Sequence, residues 1–145
     1  MDCYGKAAEL LAARPHFRAE LAAKLARRGF PEEEIAAALD RLAGLGYLDD
    51  AKTAADFVAH RRERGAEGRL RLRAELARRG ADAAAVDAAL AGLGDEDDLA
   101  AARAAAARWT GSDLAALARH LARKGFTRRA IVAVLNERGG DVPDD

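Results

Sequence analysis

Three histidines at positions 16, 60 and 120, one cysteine at position 3 and the acidic run Asp95, Glu96, Asp97, Asp98 carry most of the reactive chemistry in this 145-residue chain. Imidazole works as a general base or metal ligand, and thiolate as a nucleophile, only beside a group that orients it. The histidines stand far apart, and no second Cys or His lies at ligand spacing, so no zinc site is predicted. The acidic run lacks the alternating oxygen ligands and closing Glu of a calcium loop. It reads as the first turn of a helix, where acids meet the positive end of the helix dipole. GlyLeuGly at 44–46 reads as a helix-ending turn, and no phosphate loop, nucleophile elbow or paired-histidine motif is present. The expectation is a protein that is not an enzyme and carries no cofactor or metal.

The other candidate chemistry is basic. Lys and Arg number 24 and Asp and Glu number 24, so net charge is zero and any polyanion contact must be local. Between 61 and 79 there are eight arginines against three glutamates. Three further basic pairs, Arg27–Arg28, Arg78–Arg79 and Arg123–Lys124, each precede a glycine in the recurring hexapeptides LARRGF, LARRGA and LARKGF. Cations at a helix C-terminus gain roughly 0.3–1 kcal/mol from the exposed carbonyls, which accounts for a pair in every copy without a partner.

The elements that hold these residues follow from register. Aligned on Gly29, Gly80 and Gly125, Leu21 and Leu25 match Leu72 and Leu76, then Leu117 and Leu121. Beyond the glycine, Ile35 and Leu39 match Val86 and Leu90, then Ile131 and Leu135. Four-residue spacing puts each pair on one helix face, and repetition at offsets of 51 and 45 residues marks a tandem repeat. Each repeat is predicted as three helices: 6–13, 18–28 and 31–43; 50–64, 69–79 and 82–92; 96–109, 113–124 and 127–138. Pro31 suits a first helical position, and Asp82 and Thr127 are candidate N-caps. The predicted fold is all-α, with three-helix repeats at 4–48, 49–94 and 95–138 stacked into an elongated, curved molecule, and a frayed tail at 139–145. Half the residues are apolar, most of them Ala, so the core must be thin. No apolar run reaches membrane-spanning length and no signal sequence opens the chain, so a cytoplasmic, non-membrane monomer is expected.

From 20 to 50 the chain reads ELAAKLARRGFPEEEIAAALDRLAGLGYLDD, followed by FVAHR at 57–61 and GRLRLRAELARRG at 68–80. These stretches resemble the bacterial RecX family of recombination regulators across about residues 4–93; 112–138 resembles the family's last unit more weakly. The resemblance implies tandem three-helix units and binding to RecA, the recombinase that forms filaments on single-stranded DNA. It further implies restraint of filament growth, strand exchange, ATPase and coprotease activities, within DNA repair and the SOS response. Two positions depart from the family pattern. Phe17 stands where Ser is usual, which loses the capping box with Glu20, and Thr53 stands where an aromatic residue is usual.

Arg61, Arg64, Arg69, Arg71, Arg73, Arg78 and Arg79 form the candidate surface for the RecA filament or the phosphates of its DNA. Arg69, Arg71 and Arg73 stand out, because the start of a helix disfavours cations and capping does not explain them. The alternative is a direct DNA binder built on repeated helix–turn–helix-like units. Glu32, Glu33 and Glu34 count against it, since they open the helix that would approach phosphates.

Overall fold

A computed structural model describes residues 1–139; the segment 140–145, part of the expected frayed tail, lies outside the described residues. Within them are nine α-helices and no strand: α1 Cys3–Ala13, α2 Arg18–Arg27, α3 Glu32–Gly44, α4 Asp50–Arg64, α5 Arg69–Arg78, α6 Ala83–Leu90, α7 Asp95–Ala107, α8 Leu114–Arg123 and α9 Arg128–Glu137. They fall into three successive sets of three, as the register predicts. Helix α1 starts earlier than predicted because Asp2 caps it, accepting from the Gly5 N–H at 2.7 Å. Pro31 stands one position earlier than predicted, as an extended N-cap with ψ 150°. Thr127 and Asp82 both accept from backbone N–H groups at the starts of their helices.

The hexapeptide is one helix-ending motif. Gly29, Gly80 and Gly125 have φ of 92°, 91° and 87°. In each copy the residue after glycine sends its N–H back to the leucine carbonyl five positions earlier: Phe30 to Leu25, Ala81 to Leu76, Phe126 to Leu121. The glycine N–H meanwhile reaches the alanine carbonyl three positions back. Two orphan carbonyls are thereby satisfied by six residues, which is why the six recur together. LAGLGY at 42–47 closes α3 in the same way, with Tyr47 N–H on the Leu42 carbonyl and Gly46 at φ 84°.

The chain divides into two compact units: Met1–Phe57 with Leu76–Ala89, and Val58–Glu75 with the segment from Leu90 onward. The middle repeat is thus shared, with α4 and α5 contributing residues to both. In the first unit Leu21, Leu25, Ile35, Leu39, Leu42 and Leu48 form a buried cluster with Cys3 and Ala7 of α1. In the second, Leu117, Leu121, Phe126, Val134 and Leu135 pack with Ala102, Ala105 and Ala106 of α7. The alanines let α7 approach closely where larger side chains would hold it off.

One aspartate closes each unit, and the two do it alike. Asp50 accepts from the Arg18 N–H at 2.8 Å and the Asp82 N–H at 3.3 Å. Asp98 accepts from the Arg69 N–H at 3.0 Å and the Thr127 N–H at 3.1 Å, with the Thr127 hydroxyl at 3.2 Å. Each carboxylate therefore caps the second helix of one repeat and the third helix of the next. The corresponding position in the first repeat is Pro31, which has no N–H to offer. In the second unit the helix starts also meet backbone to backbone. Gly68 donates to the Lys124 carbonyl at 2.8 Å and Leu70 to the Gly125 carbonyl at 3.1 Å. A Cβ on Gly68 would fall inside the Gly125 carbonyl, and one on Gly125 would fall on Arg71.

Candidate partner-binding surface

The fold divides the seven candidate arginines. Arg61, Arg64, Arg69, Arg71 and Arg73 belong to the second unit, Arg78 and Arg79 to the first. Arg61 lies between Glu67 and Glu75, its Nε donating to Glu67 at 2.7 Å and a terminal nitrogen to Glu75 at 3.2 Å. Those hydrogen bonds, to Glu67 first and Glu75 second, raise the Arg61 pKa further above its ordinary range. The Arg61 bond likewise holds the Glu75 carboxyl below the usual range. Arg71 adds its Nε at 3.3 Å from Glu67 and 3.6 Å from Glu75, so two arginines and two glutamates neutralise one another.

Arg69 is also engaged. Its guanidinium donates to the Leu93 carbonyl at 3.0 Å and pairs with Asp95, while its backbone N–H is capped by Asp98. That accounts for a cation at a helix start. The carboxylates of the DEDD run offset the unfavourable dipole, and the run itself forms the first turn of α7, as its composition predicts. Asp97 accepts from the Gly94 N–H at 3.0 Å, and Asp98 is 2% exposed. Arg79 lies over the rings of Phe17 and Phe57, 5.6 and 5.5 Å from their centroids. Phe17 explains its own departure from the family pattern: it is fully buried. Half of the capping box survives, since Glu20 still accepts from the Phe17 N–H at 3.2 Å. Arg64, Arg73 and Arg78 are exposed.

Within the second unit a groove of about 370 Å³ opens between the end of α4 and the face of α7. Arg62, Arg64 and Arg108 line it over a floor of Ala66, Ala100, Ala101 and Ala104. Among the described residues no carboxylate pairs with these three arginines. Sequence reasoning named Arg64 but not its two neighbours. Arg62 lies in the same basic run and was within reach. Arg108 stands at the end of another helix, 44 positions beyond Arg64, and only the fold brings it there. Charge is distributed to match. By sequence the second unit holds fourteen Lys and Arg against twelve Asp and Glu, and the first unit ten against twelve. A neutral chain thus divides into one unit of net charge +2 and one of −2.

Described residues include no group of three His, Cys, Asp or Glu placed to hold a metal ion. No helix among them is long and apolar enough to cross a membrane. His16 and His120 have structural surroundings: the first is buried at the start of α2, and the second lies 4.9 Å from Trp109, ring centroid to ring centroid.

Residues 3–42 match the RecX first three-helix domain, and 49–90 match the RecX second three-helix domain. Regulatory protein RecX of Mycobacterium marinum is 49% identical over 84 residues, which are 58% of this chain and 49% of that protein. Regulatory protein RecX of Ectopseudomonas mendocina is 48% identical over 84 residues, 55% of its length. The chain thus spans about half the length of these relatives. A crystal structure of RecX from Lactobacillus salivarius superposes with a TM-score of 0.79 at 22% identity, covering 93% of both chains. A second, of regulatory protein RecX, gives 0.80 at 21% identity, covering 93% of this chain and 71% of that one. Both show the same fold.

Proposed function

Because the chain belongs to the RecX family of regulatory proteins, we propose that it binds the RecA recombinase on single-stranded DNA and restrains its strand-exchange, ATPase and coprotease activities. It acts in the cytoplasm as a bound partner, without turnover of its own. Family membership carries this reading, and Arg62, Arg64 and Arg108 of the second unit, with no carboxylate partner among the described residues, support it by offering a surface to an acidic counterpart. Arg64, exposed and with no ion pair among the described residues, is the sequence-derived candidate of that unit best placed to meet it. Arg61, Arg69 and Arg71 act first as internal supports of that surface. Direct reading of DNA fits less well, because Glu32, Glu33 and Glu34 open α3 and are all exposed.

The test is RecA-driven strand exchange and its DNA-dependent ATPase, with and without the purified chain, beside binding to RecA filaments and to bare DNA. Restraint of both activities with filament binding tighter than DNA binding is expected. Affinity for bare DNA equal to that for the filament would favour the DNA reading. Nucleotide hydrolysis by the chain alone, abolished by a substitution within it, would overturn the proposal that it acts without turnover.

A further inference from the structure

We propose that the groove lined by Arg62, Arg64 and Arg108 is a seat for an acidic segment of a protein partner, a short stretch in which several carboxylates alternate with small apolar residues. The second unit separates its arginines into two kinds. Arg61, Arg69 and Arg71 are bound to Glu67, Glu75 and Asp95. Arg62, Arg64 and Arg108 face one groove and, among the described residues, have no carboxylate of their own. Two acids share the lining, Glu63 and Glu67, and Glu67 is already held by Arg61 and Arg71. The groove thus presents three guanidiniums against one uncommitted carboxylate. Guanidinium groups bind carboxylates and phosphates alike through two parallel hydrogen bonds, so the arginines by themselves call only for an anion with several acceptor oxygens.

The rest of the lining decides which anion fits. Its floor is alanine methyls beside Gly65, and no aromatic ring borders it. Single-stranded nucleic acid gains much of its binding from bases stacked on aromatic side chains, and here the bases would have nothing to stack on. Small aliphatic residues between carboxylates would cover the methyl floor. Helix α4 ends at Arg64, and Arg108 caps the end of α7. The carbonyls at those ends offset part of the charge of the two arginines. A lone inorganic anion is therefore held poorly, whereas a segment with several carboxylates engages all three arginines together.

The proposal rests on the RecA reading only for the partner to which such a segment belongs. The full chain is titrated into a fluorescent peptide of alternating Glu and Ala, with oligothymidylate of equal charge and inorganic phosphate as separate probes. The variants are Arg62→Gln/Arg64→Gln/Arg108→Gln and, as comparator, Arg27→Gln/Arg28→Gln from the first unit. The parent is expected to bind the peptide and to leave phosphate unbound. The triple variant should lose roughly tenfold or more in affinity, as expected for lost charge-assisted hydrogen bonds, with its thermal midpoint lowered only slightly by the loss of two helix-end cations. The comparator should lose less than about twofold, as for a rim charge.

Absence of peptide binding, an equal loss in the comparator, or tighter oligothymidylate binding that the triple variant abolishes would each overturn the acidic-segment seat. A triple variant that binds peptide as the parent does, while both restrain RecA, sinks the groove and leaves the proposed function standing. The expected peptide result from a chain with no effect on RecA sinks the function and leaves the groove.

Discussion

His16 is 2% exposed, and both of its ring nitrogens are occupied. Nδ1 lies 2.9 Å from the Arg14 carbonyl and Nε2 lies 2.8 Å from the Lys24 ammonium. A carbonyl only accepts and an ammonium only donates, so the proton must sit on Nδ1 and the ring must be neutral. Burial above all holds its pKa below the ordinary range; the Arg14 and Lys24 charges push the same way, against the Arg14 hydrogen bond and Glu20. The unfolded chain therefore takes up this proton first as pH falls. The stability that the neutral ring contributes is whole above the unfolded value of about 6.5 and is lost as pH drops through the folded value. Denaturant unfolding between about pH 7.5 and 5.5 should show that loss, and His16→Gln should remove the part due to this residue. An unchanged pH profile in the variant would place the proton uptake elsewhere. Asp98 makes a sharper case. Replacing it with Ala strands the Arg69 and Thr127 N–H groups, so Asp98→Ala should cost about 3 kcal/mol. Asp50→Ala, at a partly exposed site, should cost about 1–2 kcal/mol. The two denaturation midpoints give the comparison, and equal losses would mean that burial of Asp98 adds nothing.

The helix-ending hexapeptide was legible from sequence, because leucine spacing and glycine punctuation repeat in phase. What the turn touches was not, and glycine substitutions expose the difference. Gly29→Ala meets open space and only the strain of φ 92°, which should cost about 1 kcal/mol. Gly125→Ala has the same backbone strain and also collides with Arg71, so it should cost several times more and lower the melting temperature accordingly. Gly68→Ala should resemble Gly125→Ala although its φ is not positive, since the Gly125 carbonyl occupies the space. Equal melting temperatures for Gly29→Ala and Gly125→Ala would mean that the turn yields. Arginine roles were legible only in part for the same reason. Helix-end cations follow from local sequence, but the Arg69–Asp95 pair spans 26 positions and the Asp98 caps span 29. No local pattern announces contacts of that length. Arg69, Arg71 and Arg73 stand out from sequence as cations that capping does not explain; for Arg69 and Arg71 the structure supplies carboxylate partners.

Three repeats in sequence become two compact units in space, since the middle repeat lends its residues to both. A chain ending after Gly94 would retain both matched three-helix segments but lose Asp98, Lys124 and Gly125, which hold the start of α5. Its circular dichroism should show less helix than nine helices minus three would leave, and it should melt lower and more broadly than the parent. A fragment melting as high and as sharply as the full chain would mean that α5 needs none of those contacts. The charge asymmetry likewise emerges only at this scale, because a composition with net zero charge conceals units of +2 and −2. The buried carboxylate of Asp98 has a further consequence, in the domain of isotope exchange. Amides in the first turn of a helix ordinarily trade their protons for deuterium quickly, because no turn precedes them to accept a bond. Those of Arg69 and Thr127 lie on one buried carboxylate, so neither exchanges until Asp98 leaves its seat. The two protons, 58 positions apart in the chain, should therefore show the same protection relative to their unfolded exchange rates, set by one opening event.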